Sequence, residues 1–119
     1  MNTLKFRGKN SLGEWYYGGI TENKNYIVKQ FVFQNVRPET VGQFTGLYDT
    51  DSREIYEGDI ILINHLPYIV RWHEAESRFI AWSNLLHVSI RIDCKVVGNI
   101  HDNPNYFDEL QNKILNNRG

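Results

Sequence analysis

Short apolar runs separated by polar turns fill most of this sequence. Aromatic and β-branched residues cluster in the runs, and Gly, Asn, Asp and Pro lie between them, which is typical of strands joined by turns. A first strand is predicted around Leu4 and Phe6. The others are predicted at Glu14–Ile20, Tyr26–Phe33, Val41–Phe44, Asp59–Asn64, Tyr68–His73, Arg78–Trp82, Leu85–Ile92 and Lys95–Ile100. Because the gaps are short, we predict a mainly β fold, a small SH3-like or barrel-type domain.

The C-terminal residues change to a helical pattern. Asn103 and Pro104 suit the N-cap and the first position of a helix. One face of this helix carries three apolar residues at helical spacing, Phe107, Leu110 and Ile114. We therefore predict a helix over residues 104–116, whose apolar face either covers the core of this chain or contacts a second subunit.

Three short strings occur twice in the same order. The matching pairs are Tyr16–Ile20 with Tyr56–Ile60, Tyr26–Val28 with Tyr68–Val70, and Val41–Phe44 with Val97–Ile100. We predict a single domain over residues 1–119, in which segments 15–47 and 55–103 are two related halves. Each half is too small to bury its apolar face alone.

The composition excludes several classes of protein. With 119 residues, 41% hydrophobic and 23% charged, the chain belongs to the globular rather than the disordered class. Its net charge of −1 gives no bulk attraction to nucleic acid or anionic lipid. One cysteine, Cys94, excludes an internal disulfide. Since no apolar run is long enough for a membrane helix and the first residues lack the apolar core of a signal peptide, we expect a cytoplasmic protein.

Charge is distributed unevenly along the chain. Residues 1–37 carry an excess of positive charge and residues 38–76 an excess of negative charge. We call Lys5, Arg7 and Lys9 the basic stripe, because alternation along the first strand places them on one face. Two interpretations stay open: protection of an edge strand against aggregation, which we favour, and contact with the phosphates of a nucleic acid.

The sequence carries no established catalytic or metal-binding pattern. It lacks the glycine-rich loops that bind phosphate and the Gly-x-Ser-x-Gly elbow of hydrolases. Asp49–Glu54 begins like a calcium loop, but Arg53 and Glu54 occupy ligand and glycine positions, so we interpret it as a polar turn. Cys94 is interpreted as a small buried hydrophobe. The four histidines lack metal-ligand spacing, so we interpret them as scattered surface residues: His65, His73, His87 and His101. We therefore predict no catalytic residue, metal or cofactor.

Two further features have structural interpretations. Gly58 and Asp59 open an apolar run, where we expect the glycine to permit a turn and the aspartate to accept backbone hydrogen bonds. Trp72 follows Val70 by two positions, so alternation places it in the core. The alternative for Trp72 is a surface on which nucleic-acid bases stack.

Several segments carry a family resemblance. They are Lys5–Arg7, Glu14–Gly18, Glu39–Leu47, Glu54–Ile60 and Val97–Ile100, with Asn103 and Pro104 after them. In these segments and in their order, the sequence resembles the YopX family of bacteriophages and prophages. The strings TVGQFTGL and EIYEGDI are the most specific part of the resemblance.

The resemblance implies a small intracellular phage or prophage product in a bacterial host, which self-associates and to which no catalytic residue can be transferred. It marks family-motif positions whose role, structural or binding, stays open: Thr40, Val41, Gly42, Gln43, Phe44, Thr45, Gly46, Tyr56, Gly58, Asp59, Gly98, Asn99, Asn103 and Pro104. We therefore expect a non-enzymatic protein-interaction module that forms a homo-oligomer or binds a host or phage protein. The alternative is a small β-barrel that binds nucleic acid through the basic stripe.

Overall fold

The computed structural model describes residues 4–91 and 93–116. Its contacts divide the chain into two compact units, N-terminal up to Phe44 and C-terminal from Thr45. The N-terminal unit contains β1 (Phe6–Lys9), β2 (Trp15–Ile20), β3 (Tyr26–Lys29), β4 (Val32–Asn35) and the first part of β5 (Arg37–Tyr48). The C-terminal unit contains the end of β5, β6 (Glu54–Tyr56), β7 (Asp59–Ile63), β8 (Leu66–His73), β9 (Arg78–Trp82), β10 (His87–Ser89), β11 (Lys95–Asn99) and α1 (Tyr106–Asn116).

The N-terminal unit is built on antiparallel strands in the order β4-β3-β2-β1-β5. Arg7 pairs with Tyr17 of β2 on one side and with Gly42 of β5 on the other. Because β1 is flanked on both sides, the interpretation of the basic stripe as protection of an edge strand is wrong. One end of this sheet is β4, which pairs with β3.

The C-terminal unit has an antiparallel sheet in the order β10-β9-β8-β7-β11. Strands β7 and β8 are apolar on both faces, which explains their nearly continuous hydrophobic runs. On one face, Ile60 and Ile69 pack with Phe107 of α1. The other face forms a second cluster with Ile55, Ile61, Ile63, Tyr68, Val70, Ala81 and Cys94. The helix thus covers the core of its own unit, one of the two roles expected for its apolar face.

The mainly β class and the C-terminal helix are confirmed. Neither described sheet closes on itself, so the strands form open sheets where a barrel was expected. Helix α1 begins at Tyr106, two residues later than predicted, because the carbonyl of Asn105 accepts the hydrogen bond of its first turn, from the Glu109 N–H at 3.0 Å. Within the described residues, no helix is long and apolar enough to cross a membrane.

One predicted strand is two strands in the structure. Tyr26–Phe33 was expected to be continuous, but the chain turns back at Gln30 and Phe31, whose φ angles are 51° and 65°. Two consecutive left-handed residues make the tight turn of a two-residue hairpin, for which Asn and Gly are the usual residues. The sequence did not predict this turn, because it has neither Asn nor Gly at these two positions.

The two units have the same strand order. In each, four successive strands form a meander and the fifth returns beside the first, as β5 beside β1 and β11 beside β7. Val41–Phe44 lies on β5, and the string that resembles it begins on the corresponding strand β11. The other repeated strings lie on strands that do not correspond. The single domain and the duplication of 15–47 as 55–103 therefore stay predictions.

Candidate functional site

The family-motif residue Gly58 lies in the turn between β6 and β7, and Asp59 begins β7. Gly58 has a φ of +93°, a left-handed conformation that favours glycine. Asp59 is 1% exposed, and its Oδ2 accepts a hydrogen bond from the Tyr56 N–H at 2.7 Å. The Gly58 carbonyl accepts from the Ile100 N–H at 3.0 Å. The predicted roles of the glycine in the turn and of the aspartate as a backbone acceptor are confirmed.

A second group of motif residues shapes the loop between β11 and α1. The Asn103 side-chain oxygen accepts from the Asn99 N–H at 3.2 Å. The Asn99 side-chain oxygen accepts from the N–H groups of His101 and Asp102 at 3.0 and 2.9 Å. A Cβ on Gly98 would lie 2.7 Å from the Asn103 side-chain oxygen, which explains the glycine. Pro104 is exposed in the turn before α1.

The motif residues of β5 lie in both units. In the N-terminal unit, Thr40 Oγ1 accepts from the Lys9 N–H at 2.8 Å and donates to the Arg37 carbonyl at 2.6 Å. In the C-terminal unit, Thr45 Oγ1 donates to the Ile55 carbonyl at 2.8 Å. Gly46 has a φ of +86°. The remaining positions are buried or half-buried on the strand: Val41, Gly42, Gln43 and Phe44. These contacts hold backbone geometry.

Asp49 is a structural residue that sequence reasoning placed only in a polar turn. It is buried, and its carboxylate accepts from the N–H groups of Asp51, Arg53 and Val96, each at 2.9 Å. Burial by itself raises the pKa of Asp49, but these hydrogen bonds and the charge of Arg53 outweigh it and leave the pKa below its usual 3.8. Asp49 thus ties the turn after β5 to β11.

We expect Asp49→Asn to lower the free energy of unfolding at pH 7 by about 2 kcal/mol, because the amide satisfies fewer of the three donors. The Asp49 carboxyl has a lower pKa in the folded protein than in the unfolded chain. Its contribution to stability is therefore complete at pH values above the unfolded pKa, and it is lost as the pH falls through the folded pKa. The difference between parent and variant in urea denaturation should therefore shrink in acid. Asp51→Asn, at an exposed carboxylate, is the control; a pH-independent difference for Asp49→Asn would contradict the assignment.

The basic stripe is not a row of exposed cations. Arg7 is buried, with its Cζ 4.8 Å from the centre of the Trp15 ring, and the Lys9 Nζ is 5.9 Å from the same ring. The Lys5 Nζ lies 5.8 Å from the Phe44 ring. The stripe therefore packs its cations against aromatic faces, an arrangement that stabilises the unit.

Trp72 is 45% exposed, so its interpretation as a core residue is wrong. Its indole contacts Phe79 edge to face at a centroid distance of 5.1 Å, and its Nε1 donates to Glu74 at 2.6 Å. On the neighbouring position of β8, Arg71 stacks over the Trp82 ring at 3.7 Å. Alternation was misleading here, because β8 leaves the core after Val70.

The thiol of Cys94 is buried, whereas two of the histidines lie together at the surface. Cys94 is fully buried, and burial, together with the nearby charges of Asp49 and Asp93, raises the pKa of its thiol, so the expected hydrophobic role is confirmed. Two of the four histidines, predicted to be scattered, come together: His73, His87 and Glu76 form an exposed cluster whose ligand atoms lie within 4.8 Å of one another. The hairpin pairing of β8, β9 and β10 creates this cluster, which sequence spacing does not show.

The edge of the N-terminal sheet is the most exposed apolar surface of that unit. Phe31 is 96% exposed, Val32 53% and Phe33 59%. Between Lys29 and Arg37 the sequence has no charged residue. The sequence shows this uncharged apolar run, but the run lies at an edge only because the chain turns back at Gln30 and Phe31.

An apolar groove of about 290 Å³ lies within the C-terminal unit. It is lined by Leu66 at the start of β8, by Leu85 in the β9–β10 turn, and by Ile114 and Leu115 of α1. The hydrogen bond from Asn84 Nδ2 to Gln111 Oε1 at 2.8 Å ties the β9–β10 turn to the helix at this groove.

Comparison with known proteins agrees with this architecture. The crystal structure of protein EF1440 from Enterococcus faecalis is similar over 88% of this chain and 98% of that chain, with a TM-score of 0.51 and 20% identity. At this identity the likeness shows the fold alone. No curated protein has a sequence that matches significantly. The family model described as YopX protein matches residues 2–108. Since this match spans nearly the whole sequence and includes the motif positions analysed above, the chain belongs to the YopX family.

Proposed function

We propose that this chain is a non-enzymatic phage or prophage protein that self-associates by pairing β4 with β4 of a second copy. The observation that carries the proposal is the edge strand β4, which exposes Val32 and Phe33 beside Phe31 and bears no charge. Natural edge strands are usually protected by charged residues, proline or bulges, because their unpaired backbone groups are a template for another strand.

The register of β3 and β4 shows which backbone groups of β4 can pair with a further strand. Lys29 and Val32 close the two-residue turn, and the Val36 N–H donates to the Asn25 carbonyl at 2.9 Å. Since hydrogen-bonded pairs alternate in an antiparallel ladder, the N–H and C=O groups of Phe33 and Asn35 point away from β3. These two residues present the backbone donors and acceptors that a further strand requires.

A second copy suits this edge for a geometric reason. Two identical strands pair antiparallel about a two-fold axis, and each side supplies the same donors, acceptors and apolar side chains to the other. Phe33 already packs edge to face on Tyr26 at a centroid distance of 6.2 Å, so its ring is positioned for contact without reordering. The partner protein of a host or phage is the less favoured occupant of the edge.

The buried groups support a non-enzymatic role. The Asp59 and Asp49 carboxylates accept backbone hydrogen bonds, and burial disfavours the reactive thiolate form of Cys94. The nucleic-acid alternative loses support, because Arg7 of the basic stripe is buried. A filter-binding measurement at low salt tests that alternative separately, and strong retention of DNA or RNA would favour it.

Light scattering coupled to size-exclusion chromatography tests the self-association. We expect the parent chain to form a dimer as its concentration rises, and Phe33→Lys to weaken dimerisation at least tenfold, because charge at an edge opposes strand pairing (about 1.4 kcal/mol or more). Leu12→Lys is the matched control, since Leu12 is 82% exposed in the β1–β2 turn of the same unit. A parent that stays monomeric, or equal dimerisation of parent and Phe33→Lys, would refute the proposal.

A further inference from the structure

We propose that His73, Glu76 and His87 form a binding site for a divalent transition metal, with Zn²⁺ as the favoured ion. His73 ends β8, Glu76 lies in the following turn, and His87 begins β10. The site is thus contained in one corner of the C-terminal sheet. It is independent of the proposed self-association, which uses the N-terminal unit.

The distances are close to those of a coordinated ion. Glu76 Oε1 lies 3.8 Å from His73 Nδ1 and 3.8 Å from His87 Nε2. Zinc binds imidazole nitrogen and carboxylate oxygen at about 2.0–2.2 Å, so tetrahedral ligand atoms are roughly 3.3–3.5 Å apart. All three side chains are partly exposed, and small rotations of the side chains close this difference.

The backbone fixes the positions from which these ligands reach. His73 pairs with Arg78 across the β8–β9 hairpin, and His87 pairs with Trp82 on the other side of β9. The two imidazole rings have centroids 4.6 Å apart, and their planes are tilted by 35° to each other. Since Arg78 and Trp82 are four positions apart along β9, it is the side chains of the two histidines, with the Glu76 carboxylate between their nitrogens, that bring the ligand atoms together.

The donor set selects the class of metal. Two imidazoles and one carboxylate suit Zn²⁺, Cu²⁺, Ni²⁺ and Co²⁺, whereas Mg²⁺ and Ca²⁺ prefer sites made only of oxygen. Three protein ligands leave at least one coordination position open to water. The ion would join the edge strand β10 to the β8–β9 turn, and would therefore stabilise the edge of this sheet.

One neighbouring cation competes with the metal. Arg78 donates to Glu76 Oε1 from Nε at 3.2 Å and from Nη2 at 3.0 Å. The Glu76 N–H also donates to His73 Nδ1 at 3.2 Å, a bond that coordination through this nitrogen would replace. Removal of the guanidinium should therefore increase the affinity for the metal, a response that incidental binding to a surface histidine would not show.

Isothermal titration of the full chain with Zn²⁺ alone tests the site. We expect one ion per chain, at least about tenfold weaker binding in His73→Ala, Glu76→Gln and His87→Ala, and tighter binding in Arg78→Gln. Saturating Zn²⁺ should raise the Tm of the parent by several degrees and leave that of His73→Ala/His87→Ala unchanged. The same variants should lose the visible absorption of bound Co²⁺.

His65→Asn is the matched control, because His65 is exposed in the β7–β8 turn with a φ of 66° that asparagine tolerates. Its Zn²⁺ affinity should equal that of the parent. Zinc affinity that is unchanged in His73→Ala and His87→Ala, or reduced equally in His65→Asn, would overturn the proposal, as would the absence of binding to the parent. Circular dichroism of each variant confirms that it is folded before titration.

Discussion

Replacing Asp59 by alanine should lower the free energy of unfolding by about 3 kcal/mol. The Asp59 carboxylate is 1% exposed and accepts the Tyr56 N–H at 2.7 Å, in a turn enclosed by the core of the C-terminal unit. The variant loses this buried, charge-assisted hydrogen bond, and such bonds are worth about 1.5–3 kcal/mol. The loss should appear as a lower midpoint of guanidinium unfolding.

Asp59→Asn separates the hydrogen bond from the charge. Its side-chain carbonyl has the same shape and still accepts the Tyr56 N–H, so we expect a loss of only about 1 kcal/mol. Equal destabilisation by the two substitutions would contradict the assigned role and would point to the charge itself. This pair of variants tests the structural account of the EIYEGDI motif directly.

Gly18→Ala should destabilise the N-terminal unit by about 3 kcal/mol or prevent its folding. A Cβ at Gly18 would lie 2.4 Å from the Val28 carbonyl oxygen and 3.1 Å from its carbonyl carbon. These are backbone atoms of the paired strand β3, so β2 and β3 would have to separate. Overpacking against side chains alone costs about 1–3 kcal/mol, and a rigid backbone places this case at the upper end.

The neighbouring glycine is a close control for Gly18. A Cβ at Gly19 would lie 3.7 Å from the same Val28 oxygen, which is an ordinary contact. Gly19→Ala should therefore change the free energy of unfolding by less than about 1 kcal/mol. The soluble yield and the circular dichroism melting curve of the two variants measure this difference. Indistinguishable variants would show that β2 and β3 adjust without cost.

The strand pattern was predictable where apolar runs are bounded by turn residues. Arg78–Trp82 was predicted with its observed bounds, and Asp59–Asn64 to within one residue. The Tyr26–Phe33 run was not divided, because its turn at Gln30 and Phe31 uses left-handed residues of a type that sequence rarely marks. Local sequence preference therefore predicted strands better than it predicted where they reverse.

The candidate sites depend on strand order, which local pattern does not contain. The exposed apolar residues of β4 lie at an edge only because the sheet ends there. His73 and His87 approach each other only because β8 and β10 flank β9. Arg7 was expected to be exposed at an edge, but β1 is enclosed by β2 and β5.

The amino-acid pattern by itself determined the mainly β class, the C-terminal helix, the family, and the roles of Gly58 and Asp59 in a turn. Each of these follows from short-range physics: alternation, helix periodicity, the freedom of glycine and the reach of a carboxylate to nearby N–H groups. Only the tertiary structure decided which strand lies at an edge, that Trp72 is exposed, and which histidines meet. Those properties arise from long-range pairing, whose energy is shared by residues far apart in the chain.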